Sequence, residues 1–297
     1  MINFKLEYFK YKELYSLKST IFNKVSSMND SITDWDKAYA ISAAIDEAES
    51  YTIKWEKTAE SFRMQHKNAK LELPYGNQKR QCLDLFLPAT TPKGLAVFVH
   101  GGYWMSFDKS YWSHLAAGCV ANGWACSLPS YRLAPEVRIT EITLDAAHAI
   151  THLASLIEGP IRLAGHSAGG HLVTQMVTKS SPLCSSVKER IDTVLSISGL
   201  HDLHPLMNTK MNQTLHIDKE EADQQSPALL NCIDGVRVTA WVGGNELPEF
   251  MRQAKILSQA WPQAELNIDD GFHHFNVIEA LAEKDSPITK AFLNYNK

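Results

Sequence analysis

The pattern of apolar and polar positions changes near residue 70. Before it, residues 34–64 are rich in Ala, Glu, Lys and Ile and contain neither Gly nor Pro. That stretch predicts helix, with Ser31 and Asp34 as candidate caps at its start. After it, short β-rich runs alternate with helical ones. Residues 81–87 alternate as a half-exposed strand would, whereas Leu95–Val99 is a continuous apolar run and reads as a buried strand. Further strands are expected at 124–128, 161–164, 193–198, 236–242 and 265–268. Helices are expected at 111–121, 142–157, 169–178, 249–261 and 275–283, with a last one opening at Ser286-Pro287.

Alternating strands and helices predict the α/β class, with a mostly parallel central sheet and helices on both faces. In such sheets the chemistry gathers at the carboxyl ends of the strands. The expected organisation is a helical N-terminal extension (1–70) packed on a main domain (71–297). Segment 201–232 is polar and breaks the alternation, so it reads as a small cap insertion. A cover over an active site, or a contact between the subunits of a homodimer, are the other roles open to the N-terminal arm.

Composition narrows the function classes. The 297 residues carry a net charge of -4, from 29 basic and 33 acidic side chains. That balance gives no reason to expect nucleic-acid binding, which usually shows as a basic patch. No stretch approaches the roughly 20 apolar residues of a membrane span, and charges at Lys5, Glu7, Lys10, Lys12 and Glu13 interrupt any secretory signal. The five cysteines (82, 119, 126, 184 and 232) are odd in number and follow no disulfide framework. A cytoplasmic protein with free thiols, acting on a small molecule, is the expectation.

The most informative stretch is Gly165-His166-Ser167-Ala168-Gly169, a G-x-S-x-G motif. A predicted strand precedes it and a predicted helix follows it, the context in which a sharp turn lifts a nucleophilic serine above a sheet. Upstream, the strand at 95–99 runs into His100-Gly101-Gly102-Tyr103-Trp104. Glycines there let backbone N–H groups approach a developing oxyanion. The expected donors are the amides of Gly102, Tyr103 and Ala168. A serine also needs a base, and the base an orienting acid, further along the chain. His273 and His274 lie in the right loop, and position does not separate them. Glu246 sits just past the strand at 236–242, with Asp269, Asp270 and Asp202 as competitors. His166 and His171 flank the serine without the spacing or third ligand of a metal site, and no cofactor is expected.

These residues resemble the kynurenine formamidase (arylformamidase) group of α/β-hydrolases, close to the hormone-sensitive-lipase-like esterases. The resemblance rests on His100 to Trp104, on Tyr131-Arg132-Leu133-Ala134-Pro135-Glu136 and on the Gly165 to Gly169 elbow. It also rests on Pro248-Glu249-Phe250 with Arg252-Gln253 and on His274-Phe275 with Ile278-Glu279. It implies the α/β-hydrolase fold and a triad of Ser167, Glu246 and His274. It further implies hydrolysis of a small acyl amide or ester, foremost N-formylkynurenine. The group usually carries Asp where this chain has Glu246. Tyr103, Trp104, His166, Phe250 and Phe275 are the candidates for substrate contact. A general carboxylesterase for short acyl esters and an inactive ligand-binding protein on the same scaffold are the rival readings.

Overall fold

A computed structural model describes residues 33–293. Eight strands form one sheet: β1 Ala69–Pro74, β2 Cys82–Phe86, β3 Leu95–Val99, β4 Ala125–Pro129, β5 Ile161–His166, β6 Ile191–Ile197, β7 Arg237–Gly243 and β8 Ala264–Asp269. Their order is β1-β2-β4-β3-β5-β6-β7-β8. β2 is antiparallel to both its neighbours, and every pair from β4 and β3 onward is parallel. The central strands are apolar on both faces because helices cover both. β3 has all five residues buried, and β5 all six. The helix Ile139–Leu156 turns Ile139, Ile142, Ala146, Ile150 and Leu153 inward at helical spacing. The helix Pro248–Ala260 starts with proline in its first turn, where no N–H is needed.

The N-terminal stretch is not one helix. Asp34 caps a short one, Trp35–Ala38, by accepting from the Lys37 amide at 3.0 Å. A 3-10 turn, Ile41–Ala44, follows, and the long helix Ala48–Gln65 begins only after Glu47, at φ 54°. The break turns Tyr39 and Ile41 into the core. There the Tyr39 hydroxyl donates to Glu249 Oε1 at 2.7 Å, so tertiary burial overrides helix propensity. Ser31 lies outside the described residues.

Other elements also depart from expectation. β1 is a largely exposed edge strand that the pattern did not mark. β2 is buried rather than half exposed, because Asp84 points inward to Lys109 Nζ at 2.9 Å instead of to water. Residues 111–121 are two 3-10 turns and the short helix Ala116–Ala121. Of the helix expected at 275–283, only the 3-10 turn Glu279–Ala282 forms. Asn276 Oδ1 takes the His273 amide at 2.7 Å, a local bond that competes with a helix.

Segment 201–232 is built of short turns and helices, and its β-pairing with the rest, among the described residues, is the single bridge Thr178↔Cys232. Arg138 fastens it, donating to Glu221 Oε2 at 2.9 Å and Asp218 Oδ2 at 2.8 Å. Within it His204 bridges Asp202 and Asp223, each at 2.9 Å. These bonds, that to Asp202 foremost, hold its pKa above the ordinary histidine value. A pKa raised by folding contributes stability that is fully present below the unfolded value, about 6.5, and is lost as pH rises through the folded one. The thermal midpoint of the native chain should therefore exceed that of His204→Gln at about pH 6, and the gap should narrow by about pH 9. A gap that does not change with pH would remove His204 from this role.

All five cysteines are free thiols. No helix among the described residues is long and apolar enough to cross a membrane.

Candidate active site

β5 delivers the chain to Ser167, and the helix Ala168–Gln175 leaves from it. Ser167 holds φ 55° and ψ -117°, a strained conformation for a residue with a side chain. The turn can be this tight only because of its glycines. A Cβ on Gly165 would lie 2.1 Å from the Gly169 carbonyl oxygen, and one on Gly169 would lie 2.0 Å from that of Val99. The Ser167 amide is anchored to the Ile197 carbonyl of β6 at 2.8 Å. The side chain is thereby fixed at the head of the sheet, against a helix N-terminus that favours negative charge.

The loop after β3 turns through Gly102, Tyr103 and Trp104, all at positive φ. Successive left-handed residues aim their N–H groups into a concavity suited to an anion. The amides of Gly102, Tyr103 and Ala168 donate no hydrogen bond among the described residues. The loop is held from behind by the 131–136 segment. Tyr131 stacks on His100 at 4.3 Å and donates its hydroxyl to the His100 carbonyl at 2.9 Å. The Ala134 amide donates to the Trp104 carbonyl at 2.9 Å. Arg132 grips Asp145 with two bonds of 2.8 Å. Burial pulls His100 down to about 4. The ring is therefore neutral, and its Nδ1–H donates to the Gly101 carbonyl at 2.7 Å.

β7 runs into Gly243-Gly244-Asn245-Glu246. Glu246 Oε2 lies 2.6 Å from His274 Nδ1, while Oε1 accepts from the Gly243 amide at 2.9 Å and from the Ser198 hydroxyl. One oxygen is thus committed to the scaffold and the other to the histidine. His274 is buried between the rings of His166 and Phe250, each 4.5 Å away. His166 Nε2 donates to the His274 carbonyl at 2.9 Å and clamps that loop. Burial, then the neighbouring His274, drive the His166 pKa well down, so it clamps as a neutral ring.

The pairing separates candidates that sequence position left open. His273 faces away, its Nε2 3.1 Å from the Tyr51 hydroxyl. Asp269 accepts from Trp241 Nε1, Asp202 belongs to the His204 bridge, and Asp270 is exposed.

A cavity of about 500 Å³ opens over Ser167 and His274. Tyr103, His166 and Phe275 line it, as do Trp55, Phe107 and Trp112. Two expected wall residues do not. Trp104 is fully buried, with its ring edge-on to His171 at 5.1 Å, because the left-handed turn swings it beneath the loop. Phe250 is fully buried under His274, which it supports. Segment 201–232 contributes nothing to this cavity, whereas residues 39–55 contribute half of its wall. Sequence reasoning missed Ile41, Thr52 and Trp55, which carry no motif. Ser198 was missed too, since a lone serine at a strand end gives no signal. Among the described residues no group of three or more His, Cys, Asp or Glu could hold a metal ion.

Residues 96–239 match the profile of the alpha/beta hydrolase fold. A kynurenine formamidase of Salmo salar is 29% identical over 246 residues, covering 75% of this chain and 80% of that protein. One from Danio rerio is 28% identical over 241 residues, with the same shares covered. The crystal structure of a Silicibacter protein with a provisional thioesterase name superposes with a TM-score of 0.85 at 49% identity. That match covers 87% of this chain and 98% of the other. The chain belongs to the α/β-hydrolases, enzymes here of the kind that cleave an amide or an ester. Within them its sequence is similar to these kynurenine formamidases.

Proposed function

We propose that the protein is an arylformamidase-like serine hydrolase that removes a formyl group from an aromatic amine, with N-formylkynurenine as the leading substrate. The observation that carries this reading is the Glu246–His274 contact of 2.6 Å beside the elbow serine, under one aromatic-lined cavity. The similarity to two kynurenine formamidases supports the choice of acyl group.

Ser167 Oγ attacks the formyl carbon while His274 Nε2 takes its proton. Glu246 accepts from His274 Nδ1–H, fixing the tautomer and stabilising the imidazolium. The carbonyl oxygen, now negative, meets the amides of Gly102, Tyr103 and Ala168. His274 then protonates the amine nitrogen, the C–N bond breaks and the arylamine leaves. Water, deprotonated by His274, attacks the formyl-enzyme and frees formate and Ser167. Glutamate is one methylene longer than the aspartate usual in this group, and its second oxygen is tied to Gly243 and Ser198. That tie supports full catalytic competence of the substituted acid.

A second reading, hydrolysis of short acyl esters or thioesters, is favoured by the 49% identical protein with its provisional thioesterase name. Comparing kcat/KM on N-formylkynurenine, p-nitrophenyl acetate and an acetyl thioester decides between them. Strong preference for the formamide is expected. Preference for the ester or thioester would keep the triad and overturn the substrate. No turnover of any of the three would favour an inactive binding protein.

A further inference from the structure

The stretch 39–55 lies outside the residues that match the hydrolase profile, 96–239, yet supplies half of the cavity wall. Most of that wall is apolar. Glu49 is the one acidic side chain lining the cavity among the described residues, and no lysine or arginine lines it. Glu49 is exposed and has no hydrogen-bond or ion-pair partner among the described residues. Of the three cations on its own helix, Lys57 does not line the cavity and the other two are engaged elsewhere. Lys54 pairs with Glu279 at 2.6 Å, and Arg63 donates to Ser113 Oγ at 2.8 Å and to the Ser110 carbonyl.

We propose that Glu49 selects the leaving group by charge, so that the site takes aromatic leaving groups bearing an ammonium and discriminates against those bearing only a carboxylate. This rests on the hydrolytic reading above. An anion entering the cavity sheds water, finds no cation and faces Glu49. An ammonium meets Glu49 and the faces of Trp55, Trp112 and Phe275, to which cations are attracted. One feature opposes this. The long helix starts at the cavity with Ala48, and its N-terminus carries about half a positive charge. Glu49, in the same turn, carries a full charge of the other sign. For a zwitterionic amino-acid leaving group the ammonium therefore governs recognition.

The test measures kcat/KM for N-formylkynurenine, its analogue without the α-carboxylate and its analogue without the α-ammonium. The enzymes are wild type, Glu49→Gln and Glu49→Lys. The ammonium-only substrate should exceed the carboxylate-only one by about five- to tenfold, the size of two exposed charge interactions of opposite sign. That ratio should shrink toward one in Glu49→Gln and at about 1 M salt, and invert in Glu49→Lys. A preference for the carboxylate-only substrate, or a ratio indifferent to both substitutions, overturns the proposal. Phenyl acetates bearing a para ammonium-methyl or carboxymethyl group separate the two readings. If only these esters are cleaved but follow the same ranking, the formamidase reading fails and the Glu49 assignment stands. If formamides are cleaved without the ranking, the reverse holds.

Discussion

Ser167→Ala is expected to lower kcat by about 10⁶-fold, leaving the circular dichroism spectrum and thermal midpoint nearly unchanged. The size follows from the nucleophile acting as a unit with its base: once the oxygen is gone, neither His274 nor the oxyanion loop has a covalent step to assist. The fold should tolerate the change. The elbow is held by backbone bonds, Ser167 N to Ile197 O and His171 N to Ser167 O, and alanine keeps the Cβ that the turn already accommodates. A fluorophosphonate should add one equivalent of mass at Ser167 in the wild type and none in the variant. Residual activity above about 1% of wild type, or labelling at another serine, would move the nucleophile elsewhere.

Glu246→Gln should cost about 10⁴-fold in kcat with a far smaller change in KM. The amide is nearly isosteric, so its oxygen can still accept from the Gly243 amide and the Ser198 hydroxyl that now hold Oε1. Its NH₂ then faces His274 Nδ1, where an acceptor is required. Two donors cannot meet there. The imidazole adopts the other tautomer, with Nε2 protonated and unable to take the serine proton, and the stabilising negative charge is lost as well. Glu246→Ala should in addition lower stability, because it leaves the Ser198 hydroxyl and Gly243 amide buried without their acceptor. Single-turnover kinetics would check the prediction. A loss confined to KM would reassign Glu246 to binding.

Both substitutions act on residues that the sequence marks unequally, and the reason is physical. Ser167 is legible because its constraint is local. A strand, two glycines and a helix must follow within ten residues, and a side chain at Gly165 or Gly169 would collide with backbone at about 2 Å. The oxyanion loop is legible for the same reason. Glu246 and His274 are 28 residues apart, and their contact is made by the parallel pairing of β7 with β8 and the loops that follow. The same holds for Trp104 and Phe250. Both are aromatic residues beside the chemistry in sequence, and both are turned into the core by backbone direction.

By itself, then, the sequence determined the α/β alternation, the buried central strands, the elbow serine and the glycine loop, because hydrophobic periodicity and steric exclusion act over a few residues. Local pattern left His273 and His274 open, the family resemblance pointed to His274, and the folded chain brings that ring to Glu246. Only the tertiary structure decided that Asp84 buries its charge against Lys109, and that the helical path breaks between Ala38 and Ala48 so that residues 39–55 wall the cavity. Those outcomes depend on charges and rings brought together from distant parts of the chain. A polar residue that finds a buried partner and one that finds water look alike in sequence, and only the folded neighbourhood separates them.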